Sequence, residues 1–237
     1  YLMQTDDYLI MLSSLPEVQR KQFLEGDWGA FENSAFPEFS IPTHVVEPFN
    51  IPRSWLRFRT CDWGYSSAAC VLWIAVDFDN NFWVYREYYT QRVTADVFAK
   101  QVLEREQGEY IRYGILDSST WSRRGDAGPS IAETMIREGC KWRPSDRSPK
   151  SRVAGKLENT GQPKLKVFSN CINLIRTLPM LPIDRNNPED VDTHAEDHAY
   201  DALRYGVMSR TVHPKSYEAN RYTEKEKFKP SDRVFGY

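Results

Sequence analysis

Between Leu56 and Tyr89 the sequence writes three β-strands in succession, and this stretch constrains the fold more than any other. Leu56, Phe58, Thr60 and Asp62 alternate with Arg57, Arg59 and Cys61, the period of two that a pleated strand imposes on its side chains. Ala68 to Val76 is unbroken apolar text of strand length, suited to the centre of a sheet. Asp79-Asn80-Asn81 then supplies turn chemistry, and Phe82 to Tyr89 returns as a third strand rich in aromatic residues. Connections this short make an antiparallel meander.

After the meander the period changes. Thr94 reads as the cap of a helix that buries Val97, Phe98, Val102 and Leu103 and stops at Gly108. Ile111 to Asp117 reads as a fourth strand. Ser130 and Glu133 form a capping box for a helix that ends at Gly139. Cys140–Trp142 is expected as a short fifth strand and Leu165–Phe168 as a further extended piece, followed by helices near 170–178 and 194–210. The order β-β-β-α-β-α-β-α predicts an α/β fold, a mixed sheet flanked by helices on both faces. Residues 1–28 read as polar helix, with Pro16 opening a second helix at Glu17, and 29–52 as a Pro-rich linker. The expected division is therefore a helical and linker segment over 1–52, one folded domain over 53–212, and a polar, mobile tail over 213–237.

Composition narrows the function classes. No apolar stretch approaches the roughly 18 to 20 residues of a membrane helix. Cys61, Cys70, Cys140 and Cys171 form no CxxC pair and sit in apolar text, so buried free thiols in a reducing cytoplasm are expected. No signal peptide is visible, and the chain opens on helical text, as a piece of something longer would. A net charge of −2 excludes a uniformly basic coat, yet the charge is segregated. Residues 141–166 hold eight Lys or Arg against Asp146 and Glu158, while 184–201 hold seven carboxylates against Arg185. Such a chain can set a basic wall beside an acidic pocket. The phosphate loop of an ATPase, the dinucleotide GxGxxG and the GxSxG elbow are all missing from the sequence.

Three aspartates close elements otherwise built for the core: Asp62, Asp117 and Asp201. Singly, each has an ordinary explanation. Asp62 suits an Asx-turn in a hairpin. Asp117 suits a helix N-cap, although Thr120-Trp121-Ser122-Arg123-Arg124 reads as loop. Asp201 lies with Asp197 roughly opposite the apolar stripe of Ala199, Ala202, Leu203, Gly206 and Val207, as on a solvated helix face. Small residues and Tyr200 and Tyr205 argue that this helix packs on more than one side. His194 and His198 share the arc, but His-Ala-Glu-Asp-His is not the helical zinc motif, and His198 is read as a phosphate neighbour or a solvated residue. Glu87 is expected to pair at the surface with Arg86 or Arg92, and Asp77 and Asp79 to shape a turn.

Together, Asp-Trp-Gly after the first strand, Ile-Leu-Asp-Ser-Ser after the fourth, and Glu-Asp-His-Ala-Tyr-Asp-Ala-Leu-Arg-Tyr on the last helix resemble the nuclease domain of tailed-bacteriophage large terminase subunits. That domain has a ribonuclease H-like, RuvC-type fold. The acids are spaced 55 and 84 residues apart, similar to the family pattern, and Leu24–Glu32 resembles the stretch joining packaging ATPase to nuclease. The resemblance implies that Asp62, Asp117 and Asp201 are catalytic metal-binding acids with Asp197 as companion. Asp117 stands where relatives often carry Glu. It implies a DNA endonuclease that cuts concatemeric viral DNA during genome packaging in the host cytoplasm, with the portal and small terminase subunit as partners of the full-length protein. Nothing follows about ATP hydrolysis.

Oxygen-only ligands favour Mg2+ or Mn2+ over zinc. The expectation is a two-metal site in which Asp62 bridges ions about 4 Å apart, Asp117 holds one, and Asp201 with Asp197 holds the other. Arg123, Arg124, Arg143, Arg147, Lys150, Arg152 and Lys156 are expected to track DNA phosphates largely without regard to sequence. A RuvC-like junction resolvase and a non-catalytic DNA or portal docking module are the alternatives the residues leave open.

Overall fold

The alternating strand and the apolar run beside it become the centre of a seven-stranded mixed sheet. The computed structural model describes residues 34–106, 108–123, 128–145, 163–184, 190–192 and 194–210. Within them the chain runs α1 (Ile41–His44), β1 (Val45–Val46), β2 (Leu56–Asp62), β3 (Ala68–Val76), β4 (Phe82–Gln91), α2 (Ala95–Glu106), β5 (Gly114–Leu116), α3 (Ile131–Arg137), β6 (Arg143–Pro144), β7 (Leu165–Phe168), α4 (Ile172–Thr177) and α5 (His198–Ser209). Short 3-10 turns occupy Ser118–Trp121 and Leu178–Met180. The spatial order is β1-β7-β4-β3-β2-β5-β6. β2, β3 and β4 form the antiparallel meander, while β5 joins β2, and β7 joins β4, in parallel.

β3 is buried along nearly its whole length because helices cover both faces. On one face α5 lies so close that a Cβ on Gly206 would stand 2.7 Å from Ile74 Cδ1 and 3.0 Å from Thr60 Cγ2. On the other, Phe98 of α2 stacks on Tyr88 with ring centroids 5.5 Å apart. The hairpin between β3 and β4 is closed by Asp77, whose carboxylate accepts from the Asp79 and Asn81 backbones, the Asn81 side chain and Trp83 Nε1. The expected capping box is present, with Ser130 and Glu133 bonding reciprocally, and Gly139 ends the helical segment at φ 90°. All four cysteines are buried and free.

Several expectations need correction. The strand expected at Cys140–Trp142 forms at Arg143–Pro144 instead. Cys140 and Trp142 are consumed by packing: the Trp142 ring closes on Gly114 and lies 4.4 Å from the Arg59 guanidinium. Ala99 rather than Val97 completes the buried face of α2. The last helix begins at His198, four residues later than expected. Within the Pro-rich stretch, Ile41–Val46 forms a helical turn and an edge strand that pairs with β7. The helices expected over 1–28 and the tail over 213–237 lie outside the described residues.

One buried ion pair ties the sheet to α2. Arg59 on β2 donates to Glu106, to the Lys141 carbonyl at 2.8 Å, and lies over Trp142; Trp73 Nε1 also donates to Glu106 at 3.2 Å. Removing the carboxylate strands a guanidinium that is 5% exposed. Glu106→Ala should therefore cost about 3 to 5 kcal/mol, read from chemical denaturation. A loss within experimental error would mean that Arg59 re-solvates without penalty.

Candidate active site

The parallel ladder between β2 and β5 sets two of the three acids side by side. Cys61 pairs with Leu116, and the Asp117 N–H donates to the Cys61 carbonyl at 3.1 Å. Both strands end there, and Asp62 and Asp117 follow Thr60 and Ile115 on the face that α5 covers. Asp197 is the residue before α5, and Asp201 lies in its first turn, its N–H donating to the Asp197 carbonyl at 2.8 Å. The approach permitted by Gly206 brings this helix down onto β2 and β3. All four aspartates thus gather at one end of the sheet.

Their electrostatics show mutual influence. Burial pushes the Asp62 carboxyl up, a hydrogen bond from His198 pulls it down, and the Asp117 charge pushes it up again. Asp197 is raised to about 6, first by burial and then by Asp201, with Asp62 adding to the rise. The buried Tyr205 hydroxyl is raised by burial and then by Asp201, Asp62 and Asp117 together, so it stays protonated. Three of the four acids are held by close protein partners. His198 Nδ1 lies 3.1 Å from Asp62, Arg204 grips Asp201 through Nε at 3.1 Å and a terminal nitrogen at 2.9 Å, and Asp117 accepts from the Ser119 backbone at 3.2 Å and from its hydroxyl.

The donor chemistry fits a hard divalent cation, since clustered carboxylates carry negative charge that such an ion offsets. The shell is not preassembled. Among the described residues no three His, Cys, Asp or Glu side chains are arranged as a metal-binding group. A cation would therefore have to draw the acids from His198, Arg204 and Ser119.

The structure revises several readings of individual residues. Asp117 does cap a helical turn, because Ser118–Trp121 folds as a 3-10 turn rather than a loop. His198 is neither solvated nor peripheral: it is half-buried, and its proton affinity is raised chiefly by the bond to Asp62. His194 is exposed and pairs with Asp192 at 2.9 Å. Glu87 pairs with neither Arg86 nor Arg92; it accepts from the Asn173 and Leu174 N–H groups at the start of α4 and from the Asn173 side chain. Arg204 and Tyr205, to which the sequence reading assigns no role at the site, stand beside Asp201, as their spacing of three and four residues on a helix requires. Of the expected DNA wall, Arg123 is exposed and paired with Glu133 at 2.8 Å, and Arg143 is exposed on the edge strand over Tyr113. Arg124, Arg147, Lys150, Arg152 and Lys156 lie outside the described residues.

The raised Asp197 carboxyl has a consequence for stability. Its ordinary value is 3.8 and its folded value about 6, so folding favours the protonated form. The stabilisation is complete below about pH 4 and is lost as pH rises through 6. Asp197→Asn should therefore stabilise chelator-treated protein at pH 8 by about 1 to 2 kcal/mol, allowing for solvent screening, with the gain vanishing near pH 4. Urea unfolding at the two pH values checks this; equal stability of variant and parent at pH 8 would contradict it.

No protein-family model and no curated protein sequence matches the chain. Solved structures do. The P22 large terminase nuclease domain superposes with a TM-score of 0.63 at 16% identity, over 76% of this chain and 94% of that one. The large terminase of the thermophilic bacteriophage D6E matches with a TM-score of 0.63 at 15% identity, over 89% of this chain. This chain spans about half of the D6E protein, covering 53% of it. The large terminase nuclease of the thermophilic phage G20c, crystallised with bound cobalt, matches with a TM-score of 0.51 at 13% identity, over 76% of this chain and 98% of that one. The seven-stranded sheet, its meander and its flanking helices are the ribonuclease H-like fold of phage large-terminase nuclease domains.

Proposed function

We propose that the chain is a metal-dependent endodeoxyribonuclease that cuts concatemeric viral DNA during genome packaging. The observation that carries this reading is the gathering of Asp62, Asp117, Asp197 and Asp201 at the end of the β2–β5 ladder under α5. The shared fold of terminase nucleases supports it, as does the cobalt held by the G20c nuclease. Asp62, Asp117, Asp197 and Asp201 would hold Mg2+ or Mn2+, which when bound supplies Lewis-acid activation of water and counter-charge for the leaving 3′-oxygen.

The chain's own groups divide the remaining work. Asp62 and Asp117 stand on strand ends fixed by the ladder, so they form the rigid side of the site. Asp197, just before α5, and Asp201, in its first turn, come to the site from the helix side. His198, released from Asp62, is placed to donate to a phosphate oxygen, and Tyr205, held protonated, can act there only as a neutral hydroxyl. Arg143 pairs in register with Ile115, two residues before Asp117, and suits a phosphate contact at the rim. Arg123, Arg124, Arg147, Lys150, Arg152 and Lys156 would extend that contact along duplex DNA.

Asp201→Asn should reduce nicking of supercoiled plasmid by at least about 1,000-fold, equivalent to several kcal/mol of lost charge stabilisation, with the circular dichroism spectrum unchanged. Parent-like cutting by that variant would sink the assignment. Duplex binding should weaken by at least about a hundredfold between 50 and 200 mM salt, as fluorescence anisotropy would show. Salt-independent binding would remove the arginine and lysine wall.

A further inference from the structure

One row of residues runs straight across the meander: Asp62 on β2 pairs with Cys70 on β3, and Cys70 pairs with Tyr89 on β4. Directly paired residues share a face, so Asp62 and Tyr89 stand on the α5 side about 10 Å apart, two strand spacings. The turn leading into α5 is tied to both ends of this row. His198 reaches Asp62 at 3.1 Å, and Glu196 accepts from the Tyr89 hydroxyl at 2.8 Å. Between these two ties sits Asp197.

The second tie is reinforced. Arg176 on α4 grips both oxygens of Glu196, one at 2.7 Å, and reaches Asn173 Oδ1 at 3.4 Å. Asn173 in turn donates through its side chain to Glu87 on β4 at 2.7 Å. Helix α5 itself lacks a conventional start: Asp197 at its N-cap has helical backbone angles and makes no side-chain capping bond. The turn is thus held by side chains from the sheet and α4 rather than by its own cap.

We propose that Glu196 is a positioning residue that, through Tyr89 and Arg176, fixes the turn presenting Asp197 and Asp201 toward Asp62. The role rests on the nuclease reading, but the pin itself can be measured without metal or DNA. Glu196 is 43% exposed at its side chain, so its replacement leaves the core intact.

In the whole chain without metal, Glu196→Ala should speed amide hydrogen exchange over residues 195–201 by about tenfold, since opening of this turn no longer breaks the tie. Calorimetric Mn2+ affinity should fall by about tenfold, as when groups that orient metal ligands are lost, and saturating Mn2+ should restore most of the plasmid-nicking rate. Tyr89→Phe should produce a smaller change of the same kind. The charge reversal Arg176→Glu with Glu196→Arg should recover part of the Mn2+ affinity, which a purely structural role of either residue would not predict. Unchanged exchange and unchanged Mn2+ affinity in Glu196→Ala would overturn the pin while leaving the nuclease standing. A parent protein that neither binds Mn2+ nor nicks DNA would overturn the nuclease reading and with it the role of Glu196, even if exchange responds as expected.

Discussion

The hydrogen bond from the Asp117 N–H to the Cys61 carbonyl closes the parallel ladder on which the candidate site depends. Without β5 beside β2, Asp62 ends one strand and Asp117 another with no relation between them. With it, two carboxylates are brought together at adjacent strand ends, and burial together with the neighbouring Asp117 charge acts against ionisation of Asp62. Gly114 shows how closely the ladder is packed: a Cβ there would fall 2.6 Å from the Trp142 ring and 2.9 Å from the Lys141 carbonyl. The same Trp142 shields Arg59, so the ion pair anchoring α2 and the strand carrying Asp117 share one packing contact.

The helix side of the site is built on different physics. α5 approaches the sheet because Gly206 removes the Cβ that would strike Ile74, and its first turn is fixed by charge and hydrogen bonding. The pair set by the strand ladder therefore faces Asp197, on the turn before α5, and Asp201, in its first turn, with that turn held by ties to Tyr89 and Asp62. In the proposed nuclease this division lets a cation gather its ligands without disturbing the ladder. His198 and Arg204 meanwhile satisfy Asp62 and Asp201, so the carboxylates are neither bare nor committed.

Much of this was legible in the chain itself. The meander follows from period-two alternation and turn residues, the capping box from Ser130 and Glu133 at their spacing, and the strand at Leu165–Phe168 from its apolar pattern. The acids stood out as carboxylates at the ends of buried elements. Glu87 was misread because its sequence neighbours are arginines, whereas its partners are backbone N–H groups 86 and 87 residues away. For His198 the sequence offers a phosphate neighbour or a solvated residue, while its partner, Asp62, lies 136 residues earlier.

The sequence by itself determined most of the local elements, the meander and the capping box above all, and singled out the acids as candidates, since periodicity, caps and turns are set by neighbours within a few residues. Which strand ends became adjacent, how His198 came to meet Asp62, and how the turn before α5 is held were decided by the tertiary structure. These are contacts between residues far apart in the chain, specified by parallel pairing and by one helix packed closely on the sheet. No local pattern encodes them.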